Sequence, residues 1–256
     1  MPWRSYVINL ADNTVRMANA AAALDRFGLP WKRIDAVNGW KLPPAEVARV
    51  YDAKANAARA RAPLVGAEIG CYLSHIEAWR RIAEGPAPGG FVFEDDFAAT
   101  DALGEVIAAL SADSGSDWDM VKLFSLDPSP RALTGRPLGK THRLILPERV
   151  PTCLTGYGLT RAAAARLAAR AVPFFRPVDE DQKFFWETGL RVALVTPQPV
   201  GLGDQQAATG TIGTARRKAA AALKGGLLHR LRYQLSYRLA LSRANRARRA
   251  ALGAKR

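Results

Sequence analysis

Phe91-Val92-Phe93-Glu94-Asp95-Asp96 is an apolar run, opened by Gly89-Gly90, that ends in three consecutive acidic residues. A short continuous apolar run bounded by turn signals reads as a buried strand, and the carboxyl end of such a strand is where open α/β sheets hold their ligands. Unpaired carboxylates are costly to desolvate, so the triplet needs a cation or a well-solvated loop. A hard divalent metal meets that need. The plainer reading is that the acids close the strand and Asp96 caps a helix starting near Asp101.

The flanking segments alternate between strand and helix patterns. Residues 5–10 read as a first strand, 14–27 as a helix stopped by Gly28, and 31–34 as a second strand before the Asn38-Gly39 turn. Residues 44–61 read as a loosely specified helix and 67–83 as a firmer one, with Ile69, Leu73 and Ile76 on one face. After the acidic strand, the pattern predicts a helix over 101–110, a strand over 119–124, a long irregular stretch over 127–151 and a helix over 160–171. A further helix is predicted from Asp179 to near Gly189, and a last strand over 191–196. Such alternation predicts a three-layer α/β domain with a mostly parallel sheet.

A chain of 256 residues, 48% hydrophobic, is long enough to bury a full core. Cys71 and Cys153 are the only cysteines and lack metal-ligand spacing, so neither a disulfide framework nor a zinc site is indicated. No leader opens the sequence and no apolar run reaches about 18 residues, which reads as cytoplasmic and not membrane-spanning. The net charge of +14 is concentrated at one end: residues 205–256 hold thirteen Lys/Arg and no Asp or Glu, whereas residues 1–204 hold twenty-four basic against twenty-three acidic residues. The expected division is therefore a nearly neutral body, 1–204, and a basic tail, 205–256, joined through the Gly/Thr-rich stretch 201–213.

Several segments in order carry a resemblance. Ile8-Asn9-Leu10 with Arg16, Ala36-Val37-Asn38-Gly39, Gly66-Ala67-Glu68-Ile69-Gly70-Cys71-Tyr72-Leu73-Ser74-His75 and Phe93-Glu94-Asp95-Asp96 together resemble glycosyltransferase family 25, the lipopolysaccharide and lipooligosaccharide glycosyltransferases. Weaker agreement continues to about residue 200. The resemblance implies a GT-A fold, a nucleotide-sugar donor such as UDP-galactose, a divalent metal, and inversion at the anomeric carbon.

The residues suit that chemistry. A metal held by carboxylates would offset charge on a departing diphosphate; Asp96 with Glu94 is the expected metal pair, for Mn2+ or Mg2+, and Glu94 or Asp95 would meet the donor ribose or a metal-bound water. Asn9 and Arg16 flank the turn after the first strand, where a nucleotide docks; the plainer reading of Arg16 is a solvated helix arginine. Glu68, Gly70, Ser74 and His75 would shape the pocket, with Gly70 permitting a close approach by backbone or ligand. Inverting transfer needs a general base, and Asp179 and Asp181 are the candidates, against plain helix capping. Lys122 reads either as a buried partner of the acids or as an edge residue, and Tyr157 either as a sugar platform or as turn packing.

In the tail, Leu228, Leu231, Leu235 and Leu239 recur at helical spacing while Arg230, Arg232, Arg238 and Arg243 take other faces. This pattern predicts an amphipathic basic helix that lies on an anionic membrane through residues 216–256, at the cytoplasmic face, where a lipid-linked glycan acceptor would be met. Nucleic-acid binding through the same charges is the rival, disfavoured because Tyr233 and Tyr237 alone could stack on bases. A solvated, disordered tail satisfies the same composition, and a catalytically silent family member serving as an assembly partner satisfies the same resemblance.

Overall fold

The computed structural model describes residues 3–113, 115, 117–203 and 226–254. Its centre is a sheet of eight strands: β1 (Arg4–Asn9), β2 (Trp31–Asp35), β3 (Gly89–Glu94), β5 (Met120–Lys122), β6 (Ala132–Leu138), β7 (His142–Pro147), β8 (Gly156–Thr160) and β9 (Val192–Thr196). They lie side by side in the order β2-β1-β3-β8-β5-β9-β7-β6. The short strands β4 (Phe97–Ala99) and β10 (Val200–Leu202) pair separately and antiparallel.

Helices cover both faces, as the side-chain alternation of the strands requires. Tyr6, Ile8 and Val92 point into a core shared with Ile69, Tyr72, Ile76 and Trp79 of α4 (Gly66–Ala83) and Leu167 of α6 (Arg161–Arg170). Val7, Phe91 and Phe93, one residue out of phase, enter a second core with Leu24 of α1 (Thr14–Asp25) and Leu103, Val106 and Leu110 of α5 (Leu103–Asp113). The three-layer α/β arrangement is the one predicted.

Several local readings change. The sheet is mixed: β8 and β7 run against the other six strands, so four of its seven ladders are antiparallel. The stretch 127–151 is not irregular but folds into the β6–β7 hairpin, turned at Gly139 with φ +61°. Pro137 conceals the first strand in the sequence and is tolerated because β6 lies at the sheet edge. The predicted 44–61 helix divides into α2 (Pro44–Val50) and α3 (Ala53–Arg59), where Phe174 exchanges backbone hydrogen bonds with Val50 and Asp52. The 179–189 helix likewise divides into α7 (Val178–Gln182) and α8 (Phe185–Thr188). Asp96 does not cap a helix; β4 follows it directly.

From 226 to 253 the tail is a helix (Gly226–Gly253) packed on the body. Tyr233 and Tyr237, 8% and 6% exposed, are buried by it against Phe184 and Trp186. Leu231, Leu235 and Leu239 face outward, 49%, 57% and 59% exposed. The predicted apolar stripe therefore exists but is not the packed face; the side chain of Leu228, the stretch 204–225 and residues 255 and 256 lie outside the described residues.

The approach of α4 to the loop after β2 requires glycine. A Cβ on Gly70 would stand 2.3 Å from the Val37 carbonyl oxygen and 2.5 Å from the Gly39 nitrogen. Both obstacles are backbone. Gly70→Ala should therefore lower the stability of the full chain by roughly 2–3 kcal/mol in urea denaturation; an unchanged midpoint would show that the loop is free to move away.

Candidate active site

The carboxyl ends of adjacent parallel strands β1 and β3 place Asn9 beside the acidic triplet, with Ile8 opposite Glu94 in the ladder. Asp95 is fully engaged: its Oδ2 accepts from Asn9 Nδ2 at 2.7 Å and its Oδ1 from Arg16 Nη1 at 3.1 Å. Asn9 Nδ2 also donates to the Asn13 carbonyl at 3.0 Å, so both amide protons hold the turn between β1 and α1. Asn9, Arg16 and Asp95 thus form one network.

Glu94 is held from behind by a line of buried donors. Trp79 Nε1–H donates to Tyr157 Oη at 2.9 Å, Tyr157 Oη lies 2.8 Å from His75 Nδ1, and His75 Nε2 lies 3.3 Å from Glu94 Oε1. Burial keeps the Tyr157 phenol protonated by pushing its pKa far up. The indole can only donate, so the phenol hydrogen goes to His75 Nδ1 and the imidazole proton sits on Nε2, toward the carboxylate. Every buried proton in the line then has an acceptor. Tyr157 is fully buried in this line and is no sugar platform.

Asp96 is the strained member of the triplet. Its Oδ1 is buried without a hydrogen-bond partner among the described residues, and its carboxyl is pushed from 3.8 to about 6, first by burial and then by Glu94, with Arg16 opposing. An orphaned carboxylate oxygen beside a second carboxylate is a donor set that a hard divalent cation fits.

The three acids of α7 diverge. Asp179 turns to the triplet side, where its Oδ2 accepts from Cys153 N–H at 3.3 Å and its Oδ1 from Glu180 N–H at 2.8 Å. Glu180 binds Lys183 at 2.9 Å and accepts from Tyr233 of the C-terminal helix. Asp181 is enclosed, accepting from Tyr72 Oη at 2.9 Å and pairing with Arg176 Nε at 3.2 Å.

Lys122 and the two cysteines complete the centre, beyond the residues expected to form it. The Lys122 ammonium is wholly buried, donates to the Cys153 carbonyl, and is lowered to about 8 by burial, with the charges of Asp179 and Glu94 opposing. Cys153 holds the left-handed φ of +71°, and its thiol is raised to about 11 by burial. Cys71, one helical turn before His75, lies with His75 and Glu94 so that their ligand atoms are all within 4.8 Å of one another. The signal for Lys122 was a lysine inside the apolar run Met120–Phe124.

The remaining α4 residues are structural in their contacts. Glu68 Oε2 accepts from Val65 N–H at 3.0 Å and caps the helix. Ser74 Oγ donates to the Gly70 carbonyl at 2.7 Å and accepts from Val37 N–H at 2.9 Å, and the close approach at Gly70 is made by backbone. These contacts fix the helix that carries His75.

The fold is that of an α/β protein, and its candidate site lies at the carboxyl edge of its parallel strands. Residues 3–128 match the family model of glycosyltransferase family 25 (LPS biosynthesis protein). The segment carrying Asn9, Arg16, His75, Lys122 and the acidic triplet therefore belongs to that glycosyltransferase family, while Asp179 and the C-terminal helix lie beyond the match. The chain is also similar to the lacto-N-neotetraose biosynthesis glycosyltransferase LgtB of Neisseria gonorrhoeae, at 30% identity over 93 residues, which is 36% of this chain and 32% of that protein. The alignment thus spans about a third of the curated relative.

Two measurements probe this centre. In long-range 1H–15N spectra His75 should show an unprotonated Nδ1 and a protonated Nε2; an Nδ1-protonated ring in the native chain would refute the hydrogen-bond assignment. The Asp96 pKa is higher folded than unfolded, so its contribution to stability is full below about pH 4 and lost as pH rises through about 6. Asp96→Asn should accordingly stabilise the chelated protein by on the order of 2 kcal/mol at neutral pH and hardly at all near pH 4. Equal effects in denaturant titrations at the two pH values would contradict the burial of this carboxylate.

Proposed function

We propose that the protein is a metal-dependent inverting glycosyltransferase of GT-A type that moves a hexose, galactose from UDP-galactose, onto a lipopolysaccharide, lipooligosaccharide or related lipid-linked glycan. The observation that carries this reading is the acidic triplet at the carboxyl end of β3, with an Asp96 oxygen left unpartnered among the described residues and Asp179 held at the Cys153 N–H. Support for the acceptor class comes from the family description and from the name of the similar gonococcal protein.

Asp96 and Glu94 would hold Mn2+ or Mg2+, which when bound supplies Lewis-acid stabilisation of the leaving diphosphate. Asp95, fixed by Asn9 and Arg16, orients the donor end of the site. Asp179 takes the proton of the acceptor hydroxyl, held in place by the Cys153 and Glu180 backbone N–H groups. Asp181 is the less suitable base because Tyr72 and Arg176 already occupy its oxygens.

The outward leucines of the C-terminal helix, and its lack of any Asp or Glu, support docking on the anionic inner face of a membrane. Among the described residues no helix is long and apolar enough to cross a membrane. Nucleic-acid binding loses its stacking residues, since Tyr233 and Tyr237 are packed into the body.

Transfer or donor hydrolysis with a panel of UDP-hexoses tests the proposal. Chelation and Asp96→Ala should each abolish turnover, and Asp179→Asn should lower kcat about 10³-fold with donor KM little changed. Asp181→Asn should instead lower thermal stability while sparing kcat. Activity that persists in EDTA, or in Asp179→Asn, would overturn the mechanism.

A further inference from the structure

Between the C-terminal helix, α3 and α8 lies a cleft of about 610 Å³ that is separate in its lining from the acidic centre. Its size falls in the range of small-molecule sites. Aromatic rings form its walls: Phe184 meets Trp186 and Tyr237 edge to face, at centroid distances of 5.4 and 5.3 Å. Into this apolar frame the chain sets three guanidinium groups, those of Arg59, Arg176 and Arg232, against the single carboxylate of Glu187.

That carboxylate is shared. Glu187 pairs with Arg59 at 3.3 Å and also accepts from Arg176. Arg176 is 2% exposed, its guanidinium stacks 3.8 Å from the Phe184 ring centre, and its Nη1 has no hydrogen-bond partner among the described residues. Asp181, behind it, is divided between Arg176 and Tyr72. Arg232 is exposed on the rim and forms no ion pair among the described residues. Buried donors are ordinarily satisfied, so an unmet guanidinium nitrogen in a cationic lining marks the place of an anion.

We propose that this cleft binds an anionic saccharide, a hexose ring bearing a phosphate or carboxylate, as part of the acceptor glycan. The ring's C–H faces would lie on the aromatic walls and the acidic substituent would meet Arg176 and Arg232. The placement fits glycosyl transfer, on whose proposed function this inference rests. The single turn of α7 directs Asp179 to the Cys153 N–H, Glu180 to Tyr233 of the cleft wall, and Asp181 to Arg176. An acceptor seated in the cleft is thereby tied to the element that carries the base.

Saturation-transfer NMR on the full chain, with glucose 6-phosphate, glucuronate, glucose, inorganic phosphate and UMP as probes, tests the inference. Glucose 6-phosphate or glucuronate should bind at least fivefold more tightly than glucose, phosphate or UMP. Arg232→Ala, at an exposed position, should weaken that binding at least fivefold, and Ser236→Trp, which fills the cleft, should eliminate it. UDP binding in the presence of Mn2+ and the thermal midpoint should be unaltered in both variants. Absence of sugar-acid binding, equal binding of phosphate or UMP, or insensitivity to both variants would overturn the proposal. A failure of the donor-site reading would show separately, as lost UDP binding in the native chain.

Discussion

The hydrogen-bond line Trp79–Tyr157–His75–Glu94 is what allows a carboxylate to stand at the end of an otherwise apolar strand. Strand β3 is buried through Phe93, and the side chain that follows must leave the core charged. A buried imidazole supplies the stabilising N–H, and its tautomer is dictated two residues further back by an indole that can only donate. Helix α4 provides two members of the line and strands β8 and β3 the other two, so the electrostatics of the site and the packing of the sheet are a single arrangement. With Glu94 secured in this way, Asp96 is the acid left under-satisfied, which is the condition expected of a functional carboxylate.

Helix α7 distributes the site's remaining requirements. Three successive acidic side chains project at about 100° intervals from one short helix, and each meets a different part of the molecule. One accepts from Cys153 at the candidate site, one fastens the C-terminal helix, and one pairs with Arg176 in the wall of the cleft. The basic tail is consequently part of the body's architecture on one face, through Tyr233 and Tyr237, while its opposite face carries exposed leucines between arginines.

Much of the fold was legible because it rests on short-range signals. The apolar run at 89–93, the alternation of strands and helices, the glycine stops and the 67–83 periodicity each reflect local stereochemistry and burial on one face. Reading failed where a distant partner decided the outcome. Phe174 divides the 44–61 helix by bonding to its midpoint, and the edge position of β6 makes Pro137 acceptable in a strand. The tail's leucines have the right period, yet two tyrosines with more area and a polar tip win the packed face.

The sequence by itself determined the acidic strand end, the companion residues Asn9 and Arg16, the candidate bases and the basic amphipathic tail, since each depends on residue type and spacing. Only the tertiary structure decided that Asp95 is bound by Asn9 and Arg16, that Asp181 is enclosed while Asp179 faces the triplet, and that Lys122 lies beneath the site. It also decided that the tail closes an aromatic cleft. Those outcomes depend on groups far apart in the chain competing for the same few buried hydrogen-bond partners, and no local pattern records which of them prevails.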